Sequence, residues 1–424
     1  MMYHKNLLVI GALALMFLAP KPAQAQTFTV LHNFSSGQDG ANPAAGLTLD
    51  SAGNLYGTAQ HGGDTDNCTP GCGTAFKLTH AGSGWVLNRL YSFVGGPYDG
   101  AVPQAAMIFG PDGALYGTTL LGDWQGGGNC QPKGHYGCGV VYKLRPPARA
   151  CKTALCPWTE TLLYQFTGSG DDGGNPGFGS LIFDVEGNLY GATFGGLNVG
   201  AVYELSPSSD GWTGKLLHRF VGSDGGVPEA GLAWDAAGNL YGTTEEGGSG
   251  DCRVGCGVVY QLTPTGPDWI LTSIYKFQNN GDGAIPASGL IFDAAGNLYG
   301  ATTEGGQLGG GVVFELTPAN GNWTFHLLAN LPGPGIGPFG NLTFDDAGNL
   351  YGLALTDGAY AKGSLFKLSP GNGGWTYTSL HDFTGRSDGG IPYGNVIFDA
   401  NGNLYGTASV GGTNGYGVVW EMTP

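Results

Sequence analysis

Along the chain, short runs of alternating or wholly apolar residues are each closed by Gly, Pro, Asn or Asp. In the stretch that starts at Asp282, Leu290-Ile291-Phe292-Asp293 predicts one strand, and Ala294-Ala295-Gly296 turns the chain into a second, Asn297-Leu298-Tyr299-Gly300-Ala301-Thr302. A Gly-rich loop leads to a third, Gly311-Val312-Val313-Phe314-Glu315-Leu316, and Trp323-Thr324-Phe325-His326-Leu327-Leu328 is the fourth. All four are short and rich in aromatic or β-branched residues, so the unit reads as a four-stranded antiparallel sheet.

The unit repeats. Asp-x-x-Gly-Asn-Leu-Tyr-Gly begins at Asp50, Asp184, Asp235, Asp293, Asp345 and Asp399, and a variant copy at Gly110-Pro111-Asp112-Gly113-Ala114-Leu115-Tyr116-Gly117 makes seven. Repetition at this spacing marks an array of one supersecondary unit. A small sheet with two apolar faces must stack on its neighbours, and arrangement about an axis leaves few exposed edges. The expected fold is therefore all-β: a seven-bladed β-propeller filling residues 26–424 as one domain. The last unit stops at its third strand, Gly417-Val418-Val419-Trp420-Glu421-Met422, while Thr27-Phe28-Thr29-Val30-Leu31-His32-Asn33-Phe34 matches the fourth-strand pattern. The amino-terminal strand should therefore complete the last blade. An open solenoid would need dedicated caps instead.

Composition agrees and adds a compartment. Gly supplies 82 of 424 residues and charged residues only 11%, while hydrophobic residues reach 41%, which excludes collagen, a disordered tail and long helices. Residues 1–25 carry a basic start at His4 and Lys5, an apolar run from Leu7 to Ala19 and a small-residue Ala23-Gln24-Ala25 cleavage pattern. This is a secretory signal peptide, too short in its apolar part to span a bilayer. A secreted or periplasmic protein without membrane insertion is expected, cleaved after Ala25. The formal net charge of −16 becomes −18 when Lys5 and Lys21 leave with the leader, which disfavours nucleic acid as a partner. The eight cysteines form close pairs, Cys68/Cys72, Cys130/Cys138, Cys151/Cys156 and Cys252/Cys256. Local disulfides are expected in an exported chain. Zinc is the alternative, but no paired histidines stand at ligand spacing.

The repeated residues resemble the Gloeo-Verruco tandem-repeat proteins, in which Asp-Gly-x-x-Pro is followed by Leu-x-x-Asp-x-x-Gly-Asn-Leu-Tyr-Gly-Thr and a Gly-Gly. The resemblance covers about residues 37–422. It implies an exported bacterial repeat protein and supplies no catalytic residue to carry over. The Asp-x-x-Gly-Asn-Leu-Tyr turn also looks like the blade hairpin of NHL and gluconolactonase-type propellers, although Gly-Thr follows here where those place an acid.

Antiparallel order sends the turns after strands one and three to one end of the ring, the hairpin face, and the longer loops after strands two and four to the other. Function in repeat folds gathers where loops are long and unequal. The Asp-Gly segments place Asp39, Asp99, Asp172, Asp224, Asp282 and Asp388 on that long-loop face, with Pro334-Gly335 substituting in blade 6. They could line a cation or substrate site, or simply form turns before Pro. Stacked sheets stand about 10 Å apart, too far for neighbouring aspartates to share a Ca²⁺, which favours turns. The Asp that opens each hairpin reads as a turn cap. His32, His218 and His381 share a slot with Tyr91, Tyr164 and Tyr275, which points to packing and calls for no metal.

Residues that break the symmetry carry more information. Glu245, Glu246 and Glu304 follow second strands where other blades have Leu121, Phe194 or Val410. Glu246 and Glu304 are the candidate acid/base pair for glycan chemistry, against the plainer reading of solvated loop charges. The blade 2 loop offers Asp123, Trp124, His135 and Tyr136, joined by His61 from blade 1. Aromatics beside polar groups suit a sugar or a peptide, and packing of Trp124 on its own disulfide is the structural alternative. No Ser/His/Asp signature, His cluster or phosphate loop occurs. The expectation is a monomeric scaffold, needing no cofactor, that binds a glycan, peptide or cell-envelope protein. The competing reading is an extracytoplasmic enzyme, either a carboxylate-based glycan hydrolase or lyase or a metal-dependent lactonase.

Overall fold

The computed structural model describes residues 26–82, 84–96, 99–122, 130, 137–147, 158–168, 172–195 and 199–423, and its sheets grow out of the repeated turn. Asp345 shows the chemistry. Its Oδ1 accepts the backbone N–H of Ala347 and Asn349, and its Oδ2 accepts Asn349 Nδ2 at 2.7 Å and the Tyr351 hydroxyl at 3.1 Å. Gly348 supplies the φ of +79° that the turn needs and that an L side chain would resist. Burial pulls the Asp345 carboxyl upward, but the hydrogen bonds from Asn349 and Tyr351 outweigh it and hold the group below its usual range. In the variant copy Asp112 takes over, accepting the Tyr116 hydroxyl at 3.2 Å.

Each turn joins two inner strands of a four-stranded antiparallel sheet, and there are seven such sheets. Blades 1 to 6 are the consecutive segments 48–92, 108–165, 182–219, 233–276, 291–330 and 343–382. In blade 5 the strands are Ile291–Phe292, Leu298–Ala301, Val312–Ala319 and Asn322–Asn330, so the inner pair is shorter and the outer pair longer than the sequence pattern predicts. Blade 7 combines Ile397–Phe398, Leu404–Ala408 and Val418–Thr423 with Thr27–Asn33 from the other end of the chain, the closure expected above. A further pairing, Gly100–Ala101 with Leu121–Gly122, sits on the long-loop side of blade 2. The described residues contain no helix long and apolar enough to cross a membrane. The expected leader lies outside the described residues.

The core lies between blades. Seven apolar clusters each join two consecutive blades, and the one built on Phe34, Leu47, Leu55, Phe76, Tyr405 and Val419 joins the last to the first. The ring is closed by the same packing that holds it elsewhere. Polar contacts repeat it: Thr407 Oγ1 donates to the Ala45 carbonyl at 2.8 Å across that joint, as Thr243 Oγ1 does to Ser288 at 3.0 Å between blades 4 and 5. The Gly of each Leu-Tyr-Gly gives room for the large ring of strand three, since a Cβ on Gly406 would stand 2.3 Å from Trp420.

Every blade carries a β-bulge at the same place. Register slips beside strand three in all seven, leaving Leu31, Leu90, Leu163, Leu217, Ile274, Leu328 and Leu380 unpaired. A bulge bends the strand and re-aims the residue that follows it. In six blades that residue is the His or Tyr of the slot noted above, now turned toward the loop leaving the strand, and in blade 5 it is Ala329.

Candidate functional site

The ring of aspartates is structural. Asp39, Asp224 and Asp388 accept from His32, His218 and His381 Nε2 at 3.1, 2.9 and 3.1 Å, and Asp99, Asp172 and Asp282 accept the hydroxyls of Tyr91, Tyr164 and Tyr275 at 3.3, 3.3 and 2.9 Å. Each also accepts a backbone N–H just beyond strand four, such as Val94 to Asp99 at 2.7 Å. Between blades 5 and 6 the acceptor is missing, and so are both donors: the slot holds Ala329, the N–H position is Pro332, and Pro334-Gly335 replaces Asp-Gly. Loss of all three together identifies the set as one hydrogen-bonded unit, because removing the acid alone would strand buried donors.

The Asp-Gly-x-x-Pro segment then performs a second task. Its residue before Pro is held at positive φ in six blades, including the β-branched Val102 at +58°, Val227 at +56°, Ile285 at +57° and Ile391 at +53°. Such residues rarely take this conformation, and it persists where the surroundings over-determine it. Here the N–H of Val227 donates to Val199 of the preceding blade at 2.6 Å, and its carbonyl accepts Glu245 N at 3.1 Å. The clamp ties neighbouring blades together and lays the post-Pro residue at the axial mouth.

Two concentric sets of positions therefore surround the mouth on the long-loop face. The segments after Pro contribute Ala44, Gln104, Phe178, Glu229, Ala287, Phe339 and Tyr393, and the ends of the second strands contribute Gln60, Leu120, Phe194, Glu245, Thr303, Leu355 and Ser409. Phe178 and Tyr393 stack at 5.3 Å with their planes 3° apart, and Phe339 meets both edge-on at 5.8 and 5.7 Å. These rings come from blades 3, 6 and 7 and meet on the axis. They stopper a cavity of about 180 Å³ lined by inner segments of six blades. Beside them the carboxyls of Glu229 and Glu245 lie within hydrogen-bonding reach of each other, and Glu245 Oε1 has no hydrogen-bond partner. Burial, and for Glu245 the charges of Glu229, Glu246 and Glu304, push both well above the usual carboxylate range. The Glu229 charge in turn raises the Tyr393 hydroxyl, after burial.

This pair has a stability signature. A carboxyl raised in the folded state takes up a proton on folding, so its destabilising effect is absent below about pH 4.3, the unfolded value, and grows as pH rises toward the folded pKa. Glu245→Gln should unfold at the same temperature as the wild type near pH 4.5 and about 2–4 °C above it near pH 8. Thermal melts across that range check it, and equal shifts at both pH values would mean that Glu245 titrates normally.

The sequence candidates are placed unevenly. Glu246 and Glu304 occupy equivalent positions of blades 4 and 5, paired with Gly226 and Ala284, and Glu304 is exposed. His61 holds the matching position of blade 1, paired with Ala41, and its ring lies near the Gly71 backbone. Burial, the larger effect, makes it harder to protonate. Asp123, Trp124, His135 and Tyr136 lie outside the described residues, as do Cys151 and Cys156; the loop leaves at Gly122 and returns at Gly137, which bridge each other on the long-loop face. Cys68–Cys72, Cys130–Cys138 and Cys252–Cys256 are disulfides, of the kind that persists outside the cytoplasm. Glu229, Phe178, Phe339 and Tyr393 were hidden in sequence because only the ring brings the post-Pro positions together. Their signal was available: large or charged residues where two other copies have Ala44 and Ala287.

Among solved structures, the chain resembles the extracellular domain of a hybrid two-component system assigned in B. thetaiotaomicron (BT3049), at a TM-score of 0.53 and 15% identity, over 94% of this chain and 41% of that one. It also resembles a PL25 ulvan lyase bound to a GlcA–Rha3S saccharide, at a TM-score of 0.49 and 13% identity, over 91% and 94% of the two chains. An assigned 6-phosphogluconolactonase from Bacteroides uniformis aligns at a TM-score of 0.47 and 17% identity, over 80% and 84%. At these identities the likeness concerns the fold alone. No curated protein matches in sequence. The Gloeobacter/Verrucomicrobia repeat matches residues 19–252, 128–327 and 251–424, which together span nearly the whole chain, and the protein belongs to that family.

Proposed function

We propose that the protein is an exported binding module, secreted or periplasmic, that holds the end of a glycan or peptide at the axial mouth of its long-loop face. The observation that carries this reading is the half-buried pair Glu229/Glu245, with an unpartnered Oε1, beside the half-buried rings of Phe178, Phe339 and Tyr393. A carboxyl oxygen free to accept a hydroxyl or amine, next to aromatic faces, is the pairing of a few convergent polar groups with an apolar surface that ligand sites use. The glycosidase arrangement asks for two carboxyls about 5–9.5 Å apart, flanking a bond. Two carboxyls that face each other directly, with no room for a bond between them, act as one acceptor unit, which favours binding over hydrolysis. The sequence candidates Asp123, Trp124, His135 and Tyr136 belong to the blade 2 loop, whose two ends, Gly122 and Gly137, bridge on the same face.

Retention of the mature chain on immobilised oligosaccharides and peptides tests the reading. Tyr393→Ala and Glu245→Gln should each weaken retention at least tenfold, while Asp268→Asn on an outer strand leaves it unchanged. Retention that survives both axial changes would sink the proposal. Turnover of a glycan by the wild type, abolished in Glu245→Gln, would instead support the enzymatic alternative.

A further inference from the structure

Blade 6 departs from the repeat twice, and the two departures meet. Its incoming loop lacks the Asp-Gly unit, and its loop after strand two carries Asp357 where blades 1, 4, 5 and 7 have Gly62, Gly247, Gly305 and Gly411. Those glycines press on the incoming loop: a Cβ on Gly62 or Gly247 would stand 2.7 or 2.3 Å from its backbone. In blade 6 the incoming loop is Pro332-Gly333-Pro334-Gly335, and a cavity of about 580 Å³ opens beside it. Asp357 does not replace the missing aspartate, because Ala329 and Pro332 leave nothing for it to accept.

Asp357 is 4% exposed, yet neither carboxylate oxygen has a hydrogen-bond partner, and the nearby Ser364 hydroxyl, fully buried, also has none. Asp382 lines the same cavity, with Oδ1 accepting the Ser379 hydroxyl at 2.7 Å, and the Tyr377 ring completes the wall. Among the described residues no Lys, Arg or His pairs with either acid. Burying a carboxylate without partner or counter-charge costs several kcal/mol, so a native site of this kind implies a missing cation or a proton. Burial first, reinforced by the nearby Asp382 charge, pushes the Asp357 carboxyl above its usual range.

We infer that this cavity is a Ca²⁺ site in which Asp357 and Asp382 supply the carboxylates and neighbouring hydroxyl, carbonyl and water oxygens complete the shell. The donors are all oxygen, with no thiol or imidazole, which selects a hard cation over zinc or copper. They come from irregular loops around a roomy cavity, which suits the flexible shell of Ca²⁺ better than the strict octahedron of Mg²⁺. Two carboxylates neutralise one Ca²⁺ and place the affinity near the 10⁻⁴–10⁻³ M of extracellular modules. The site stands apart from the axial mouth and does not rest on its reading.

Calcium titration of the mature chain by calorimetry, with terbium luminescence as a second readout, tests this. One Ca²⁺ per chain is expected, with binding weakened at least tenfold by Asp357→Asn and by Asp382→Asn. Ca²⁺ should raise the melting temperature of the wild type and of neither variant, and Tyr377→Phe should dim the terbium signal while Ca²⁺ still binds. Asp382→Asn, at a half-buried position, keeps the test decisive where Asp357→Asn fails to fold. No binding by the wild type at about 10 mM Ca²⁺, or unchanged binding in either carboxylate variant, overturns the inference.

Discussion

A chain that lacks residues 26–34 is expected to lose its cooperative unfolding transition. Thr27–Asn33 forms six register pairs with Val418–Thr423, and without it that strand becomes an open edge. The packing loss is larger. Phe34 is fully buried in the cluster that joins blade 7 to blade 1, and Phe28 stacks on His381 at 3.8 Å and on Trp420 at 5.6 Å. Removing the buried Phe34 costs about 3–5 kcal/mol, the partly buried Phe28 adds to that, and a typical protein has only about 5–15 kcal/mol in total. The His32–Asp39 pair and the Asn33 acceptor for Thr413 N disappear with them. Gel filtration should show association or aggregation, and tryptophan fluorescence should melt broadly. A sharp transition within a few degrees of the intact chain would mean that the ring holds without this strand.

Trp420→Ala should destabilise the protein by about 3–5 kcal/mol, whereas Trp420→Phe should cost far less. Trp420 is fully buried between blades 6 and 7, packed on Phe383 at 5.9 Å and on Phe28. Alanine would leave a cavity that two rigid sheets cannot close. Phenylalanine already fills the equivalent place in Phe76, Phe314 and Phe366, and its closest competitor here has a handicap: the buried Trp420 Nε1 has no hydrogen-bond partner. Removing an unsatisfied donor recovers its desolvation cost and offsets part of the lost area. Denaturant melts of the two variants compare them, and equal losses would show that the indole nitrogen is satisfied in solution.

The turn at each Asp-x-x-Gly-Asn was legible because its hydrogen bonds join residues within six positions, so the motif and the structure are nearly the same statement. The closure by residues 27–34 was legible too, since one unit lacked a fourth strand and the other end supplied its pattern. The fourth-strand bulge was not. Its unpaired residue, Leu380 in blade 6 for example, looks like any apolar strand residue, and only the partner strand reveals the slip. The same limit hid the role of His381, which the sequence suggested was packing and which the bulge turns onto Asp388.

The axial site shows the limit most clearly. Glu246 and Glu304 stood out in sequence as acids in loops, but the half-buried carboxyl that faces Glu229 is Glu245, one residue from Glu246. Strand alternation reverses the face with each step, and the clamp at Val227 decides which of two adjacent glutamates looks inward. By itself the sequence determined the repeat, its turns, the number of blades and the way the ring closes, because those follow from local hydrogen bonding and the burial of two apolar faces. Only the tertiary structure decided that Phe178, Phe339 and Tyr393 meet on the axis and that Asp357 faces a cavity beside an incoming loop that lacks the Asp-Gly unit. Residues more than a hundred positions apart become neighbours only when the circle closes, and nothing along the chain encodes a distance measured across it.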